Sequence, residues 1–126
     1  MNQDNKYNEQ VEKSLVISDE VIATIAAKAA KDIEGVAGLG VRPAVQAYLS
    51  LGDSALKSVK VINGDTDVVI HIYIILEGNQ KLPKVATEVQ QAVKSAVQNM
   101  TGKAVTKVDV NISGVEFSKD SEATFC

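Results

Sequence analysis

The segment DVVIHIYIILE, residues 67–77, constrains the fold of this chain more than any other stretch. Its even-numbered positions are all apolar, whereas its odd-numbered positions mix apolar, aromatic and polar side chains. Successive side chains of a β-strand point to opposite faces of the sheet. The alternation therefore predicts a strand over about residues 66–77, with one face packed on a core and the other face on solvent or another surface. The second face carries Val69, His71, Tyr73 and Ile75.

Two further segments predict neighbouring strands. Val59 and Val61 alternate with polar residues just before the dipeptide Asn63-Gly64, which is the strongest short signal for a β-hairpin turn. The closing segment AVTKVDVNISGVEF, residues 104–117, alternates again. The polar positions of this segment and Lys60 are expected on the same face of the sheet as His71 and Tyr73. In the closing segment these positions are Lys107, Asp109, Asn111 and Ser113.

Two segments have the three- and four-residue apolar spacing of amphipathic helices. The first follows Ser18, whose hydroxyl suits a helix N-cap, and Gly35 is positioned to end it. The second begins near Pro83 and ends near Gly102. The predicted buried positions are Ile22, Ile25, Ala26, Ala29 and Ile33 in the first helix, and Val85, Val89, Ala92, Val93, Ala96, Val97 and Met100 in the second.

These elements predict an α+β fold, a two-layer sandwich in which a small, mostly antiparallel sheet is covered by two long amphipathic helices. The predicted single domain covers residues 15–117, with flexible tails at 1–14 and 118–126. Residues 15–17 are expected to form a short strand, and residues 36–41 another. A short helix is expected from Pro43 to about Leu51, since proline is favoured in a first helical turn.

Charge and cysteine content exclude several classes of function. The formal net charge is −3, so binding of a nucleic acid would need a local cluster of basic side chains. Cys126 is the only cysteine, so neither an intramolecular disulfide nor a cysteine-based metal site can form. The sequence has no apolar run of about 20 residues and no secretory signal. The expected location is the cytoplasm.

His71, the only histidine, is the first candidate for catalysis. A catalytic histidine needs a nucleophile or substrate within hydrogen-bonding reach and a group that orients its ring. The sequence shows neither, and His71 is placed in the middle of a strand rather than on a loop. We therefore predict no catalytic, cofactor-binding or metal-binding residues and no enzymatic activity. His71 and its neighbours Val69, Tyr73 and Ile75 are instead the candidate interface, because they are too apolar for a purely solvated face.

The tetrapeptide GVAG, residues 35–38, leaves a second interpretation open. It matches the G-x-x-G loop of KH-type modules, which grip the backbone of a nucleic acid. Arg42, Lys60 and Lys107 would form the basic patch. A nucleic-acid-binding module is therefore the alternative to a protein-interaction module.

Four segments of the chain form a recognisable set in this order: ISDEVIATIAAKAAKDIEGV (17–36), VKVINGDTDVVIHIYIILEG (59–78), LPKVATEVQQAVKSAVQNMTG (82–102) and VTKVDVNISGVEF (105–117). Together they resemble the alkaline-shock protein family of Gram-positive bacteria, also called the general-stress or DUF322 family. One departure is Glu77-Gly78, where the family commonly has an aromatic residue before the glycine. In addition, residues 38–57 match no specific feature of the family.

This resemblance implies a small non-enzymatic protein that is linked to cell-envelope stress homeostasis and to fatty-acid or phospholipid metabolism. It also implies a homo-oligomer held at the membrane by a partner protein, without insertion of its own chain. The expected partners are further copies of the chain, a membrane-anchoring protein or a lipid-synthesis enzyme. No catalytic residues and no cofactor are carried over, because the family pattern contains none.

Overall fold

The computed structural model describes residues 16–43 and 54–117. The predicted tails at 1–14 and 118–126, and nearly all of the helix predicted from Pro43 to Leu51, lie outside the described residues. No helix within the described ranges is long and apolar enough to cross a lipid bilayer. The elements are α1 (Asp19–Lys31), β1 (Val36–Leu39), a single 3₁₀ turn (Ala55–Lys57), β2 (Val59–Asn63), β3 (Asp67–Glu77), α2 (Leu82–Thr101) and β4 (Ala104–Glu116).

Strand β3 is the centre of the sheet. β4 runs parallel to it over its whole length, from the pair Asp67 and Ala104 to the pair Glu77 and Glu116. β2 and β1 pair antiparallel with β3, β2 along its first half and β1 along its last residues. Both must lie on the side of β3 opposite β4, because a strand has only two edges. The fold class is confirmed, since two of the three pairings are antiparallel.

The hydrophobic core lies between this sheet and the two helices. The five even-numbered positions of β3 from Val68 to Leu76 are 0% exposed. The sequence prediction is wrong for Met100, which is 71% exposed, because the four-residue spacing of the buried positions continues from Val97 to Thr101 rather than to Met100. The buried residues of α2 recur at four-residue spacing and are Val85, Val89, Val93 and Val97. In α1 the fully buried residues are Ile22, Ala23, Ala26 and Ala30, whereas Ile25 and Ala29 are only half-buried. Ile33, which was predicted to be buried in this helix, lies beyond its end and is also half-buried.

The two helices end in different ways. The Ser18 hydroxyl accepts a hydrogen bond from the Val21 amide, as predicted for the N-cap of α1. Gly35 does not end α1, which stops at Lys31 with Asp32 as its C-cap. Gly35 instead forms the turn into β1 with a φ of +102°. Gly102 ends α2 as predicted, in the left-handed conformation that glycine adopts without steric cost.

The predicted hairpin between β2 and β3 is present, but its turn differs from the expected type. Neither Asn63 nor Gly64 has a positive φ, and the Gly64 amide donates a 2.9 Å hydrogen bond to the Asp67 carbonyl. The Lys103 ammonium group donates to the Asn63 side chain and to the Gly64 carbonyl, which fixes the turn to the start of β4. The strand predicted at 15–17 is not formed at residues 16 and 17, which are the two that the structure describes. The Ile17 carbonyl instead accepts a hydrogen bond from the Asn63 side-chain amide.

Candidate interaction face of the sheet

The helices cover one face of the sheet, and we call the other one the open face. β3 contributes the four candidate residues to it, since their odd positions point away from the core. Within residues 16–43 and 54–117, both helices pack on the opposite face. The open face therefore consists of Val69, His71, Tyr73 and Ile75 on β3, Lys60 and Ile62 on β2, and Lys107, Asp109 and Asn111 on β4.

The exposure of these side chains separates the two faces clearly. All four candidate residues on β3 are half-buried, although their immediate neighbours along the strand are completely buried. They are partly covered because strands flank β3 on both sides. Ile62, which is aligned with Val69, is 50% exposed. The open face is therefore an accessible surface with substantial apolar content.

His71 lies in the middle of the open face and is paired with Asp109. The two residues are aligned across β3 and β4, and the His71 Nδ1 atom lies 3.0 Å from the Asp109 carboxylate. The side chains retain 25% and 44% exposure. The carboxylate accepts a hydrogen bond from Nδ1–H, which fixes the orientation of the imidazole ring. Sequence reasoning placed both residues on this face but did not predict their contact, because the pairing partner and register of β4 could not be known.

The surroundings of His71 suit binding better than catalysis. Its nearest neighbours on the open face are Val69 and Tyr73 along the strand and Lys60 across from it. None of these is a serine, threonine or cysteine that the ring could activate as a nucleophile. Among the described residues, no group of three histidine, cysteine or acidic side chains could hold a metal ion. The His71–Asp109 pair thus provides an oriented polar contact within an apolar surface.

The backbone of Tyr73 is held in position by hydrogen bonds to two other segments of the chain. Its amide donates a 2.9 Å hydrogen bond to the Ser58 carbonyl, and its carbonyl accepts one of 2.9 Å from the Gly40 amide. The side chain lines a depression of about 290 Å³ together with Arg42, Pro43 and Lys60. This end of the open face combines an aromatic side chain with an arginine, which are residue types common in protein interfaces.

The tetrapeptide GVAG does not form the loop expected of a KH-type module. Residues 36–38 belong to β1, and Val36 is aligned with Leu76 of the central strand. A segment that is paired within a sheet cannot fold around the backbone of a nucleic acid as a free glycine loop does. The basic residues Lys60 and Lys107 lie on opposite sides of β3, with the acidic Asp109 on the same face. Residues 35–38 therefore do not form the glycine loop that the nucleic-acid interpretation requires.

The fold and the open face define a small α+β domain with one helix-covered face and one accessible, half-apolar face. Comparison of the sequence with protein families places it more narrowly. The chain belongs to the alkaline-shock protein 23 family, which is described as having a cell envelope-related function, and the match covers residues 7–117. The family resemblance seen in the sequence is thereby confirmed.

Relatives of this chain occur in Gram-positive bacteria. The chain is 30% identical over 107 residues to YqhY of Bacillus subtilis (strain 168), which covers 84% of this chain and 79% of YqhY. It is 32% identical over 102 residues to YloU of the same organism, which covers 79% of this chain and 85% of YloU. It is 29% identical over 107 residues to Spy1535 of Streptococcus pyogenes, which covers 83% of this chain and 81% of Spy1535. All three relatives are described as uncharacterized proteins.

Among solved structures, the chain is similar to the MamM CTD, with a TM-score of 0.48 and 15% sequence identity. That match covers 77% of this chain and 99% of the MamM chain. At this level of similarity, no functional property passes from one protein to the other.

Proposed function

We propose that this chain is a non-enzymatic protein-interaction module that acts in cell-envelope stress homeostasis from the cytoplasmic side of the membrane. It works as a homo-oligomer and binds a partner, either a membrane protein that anchors it or an enzyme of fatty-acid or phospholipid synthesis. The observation that carries this proposal is the open face, on which Val69, His71, Tyr73 and Ile75 are half-buried while the alternate positions of the same strand are fully buried. The family's cell envelope-related function supports the proposed setting.

The composition of the open face suits a protein partner. The cores of protein interfaces are enriched in aromatic residues and arginine and depleted in charged residues such as lysine. Tyr73 lies on β3, the central strand of the open face, whereas the charged Lys60 and Lys107 lie on the flanking strands. Tyr73 therefore has the position of a central anchor, and the lysines have the position of a rim.

The proposal predicts that Tyr73→Ala reduces partner capture while the domain stays folded. Tyrosine anchors at the centre of an interface commonly contribute about 2 kcal/mol or more, which corresponds to a loss of affinity of about thirtyfold. The measurement is a pull-down of the tagged protein from gently lysed native cells, membranes included, with bound proteins identified and quantified by mass spectrometry. Circular dichroism checks that the variant remains folded.

A matched control is Val21→Ala, which removes a 49% exposed apolar side chain from α1, on the other side of the sheet. It should leave capture unchanged. If Tyr73→Ala captures the same proteins as the natural sequence, the open face is not the binding surface. If that variant unfolds, the face is part of a covered core. Recovery of an integral membrane protein or a lipid-synthesis enzyme supports the proposal, whereas ribosomal proteins that nuclease removes would point to RNA.

A further inference from the structure

Strand β4 is an edge strand with an unpaired side. Over residues 104–116 it pairs with β3 on one side, and no other strand of the described chain pairs with it. An unpaired edge can accept another strand, and natural proteins protect such edges with proline, charged side chains or covering elements. The stretch from Val110 to Val115 contains neither proline nor a charged residue.

The two halves of this edge differ in their protection. In the first half, the Gln90 side-chain amide donates a 3.1 Å hydrogen bond to the Val108 carbonyl, so a side chain of α2 occupies this one backbone acceptor of the edge. In the second half, Ile112 is 38% exposed and Val115 is 44% exposed. Both lie on the helix side of the sheet, since they are aligned with fully buried positions of β3. The unprotected half of the edge therefore also exposes apolar side chains.

We propose that β4 pairs antiparallel with the same strand of a second copy of this chain, about a two-fold axis that passes through Asn111 perpendicular to the sheet. This inference rests on the self-association in the proposed function and assigns it to the backbone edge of β4 rather than to the side chains of β3 on the open face. A two-fold interface must be complementary to itself. The uncharged stretch from Val110 to Val115 meets this requirement, since no charged residue in it would face its own copy.

The irregularity in the second half of β4 sets the register of this pairing. The alignment with β3 passes from Ile112 directly to Gly114, so Ser113 is an extra residue that belongs to a bulge. With the bulge left out of the pairing, an axis through Asn111 would place Val110 of each copy opposite Ile112 of the other. Val110 and Ile112 both lie on the helix side of the sheet. The centre of the contact would therefore join apolar side chains across the edge, which is the kind of pair that stabilises neighbouring strands.

Charge complementarity favours a second copy over an unrelated strand. Lys107 and Glu116 both lie on the open-face side of β4, because they are aligned with Val69 and Glu77, which occupy odd positions of β3. Asn111, through which the axis passes, is aligned with Tyr73. The β3 residues aligned with Lys107 and Glu116 are each four positions from Tyr73, one before it and one after it. Antiparallel pairing would therefore place Lys107 of each copy beside Glu116 of the other and form two equivalent ion pairs.

The remaining residues of the strand are compatible with this register. Asp109, the third charged residue of β4, is held by His71 of its own chain and would lie opposite the uncharged Gly114 of the other copy. The Val108 carbonyl already accepts a hydrogen bond from Gln90, so backbone pairing with the second copy is limited to the residues of β4 that follow Val108. The interface would thus be short, with apolar contacts at its centre and an ion pair at each end.

The consequence for the assembly is a continuous sheet across two copies. Edge pairing extends each sheet without covering either face, and a perpendicular two-fold axis keeps both open faces on the same side. Two copies of the proposed anchor Tyr73 would then be presented together. A partner with two binding sites would gain affinity from such a pair without any new contact.

The test is a charge exchange measured by analytical ultracentrifugation. Lys107→Glu alone and Glu116→Lys alone should each raise the dissociation constant of the dimer about tenfold, because each places like charges at two symmetry-related contacts. The double variant K107E/E116K should return it to within about twofold of the natural value. Lys84→Glu, which makes the same change at an exposed position of α2, is the control for net charge. Ile112→Lys should abolish the dimer by charging the apolar centre of the edge.

Each other outcome overturns the inference in a recognisable way. If the single variants weaken the dimer and the double variant does not restore it, the two charges do not meet and the pairing is wrong. If none of these variants changes the dimer but Tyr73→Ala dissociates it, the copies associate through the open face. If the natural protein is monomeric at about 100 µM, far above the ~1 µM dissociation constant of a modest specific interface, the proposed self-association fails as well.

Discussion

Two adjacent isoleucines of β3 test whether the open face is truly uncovered. Ile74 points into the core and is 0% exposed, whereas Ile75 points to the open face and is half-buried. Each change to alanine removes about three carbon groups, or about 2.4 kcal/mol of transfer free energy at full burial. At Ile74 a cavity adds about 1 kcal/mol, so Ile74→Ala should lower the free energy of unfolding by about 3.5 kcal/mol.

Ile75→Ala should cost only about 1.5 kcal/mol, since burial is partial and solvent can fill the vacated space. Urea denaturation followed by circular dichroism measures both. With a slope of about 1.5 kcal/mol/M, the midpoints should fall by about 2.3 M for Ile74→Ala and about 1 M for Ile75→Ala.

Measurements at two protein concentrations separate folding from self-association. The reasoning is refuted if Ile75→Ala costs as much as Ile74→Ala. Equal costs would mean that the open face is as fully buried as the helix-covered face and that the proposed interface is part of a core.

Glycine substitutions test the geometry around the sheet. Gly102→Ala should cost about 1 kcal/mol in urea denaturation, because Gly102 has a φ of +75°. Gly38→Ala, in a strand with open space around it, should be neutral or slightly stabilising in the same assay. Gly40→Ala should be more destabilising, by about 2 kcal/mol, because the new Cβ would lie 2.7 Å from the Cβ of Ser113. Adding Ser113→Gly should recover most of that loss in urea denaturation, and no recovery would show that the two segments do not approach each other as the structure has them.

Sequence reasoning succeeded where one segment carries its own periodicity. The alternation in β3 and the apolar stripe of α2 each depend on residues within a single element, and both elements were predicted to within a residue or two. The prediction failed at Gly35 and at residues 16 and 17 because both segments make contacts with distant parts of the chain. The Gly35 carbonyl accepts a hydrogen bond from the Glu77 amide, and the Ile17 carbonyl accepts one from the Asn63 side chain.

The same division applies to the candidate site. The sequence placed His71 and Asp109 on one face, since each occupies an odd position of an alternating strand. It did not show that they are hydrogen-bonded, because that contact depends on β4 pairing in parallel with β3 in one register. Alternation gives the face to which a side chain points but contains no information about the neighbouring strand.

By itself, the sequence determined the two long helices, the strands β2, β3 and β4, the two-layer architecture and the residues of the open face, because hydrophobic periodicity is a local property of the chain. The tertiary structure alone decided the order of the strands. The parallel crossover through α2 makes β4 an edge strand that is protected by Gln90 in one half and unprotected in the other. That arrangement depends on which strands meet in space, and a periodic pattern within one strand does not specify its partner.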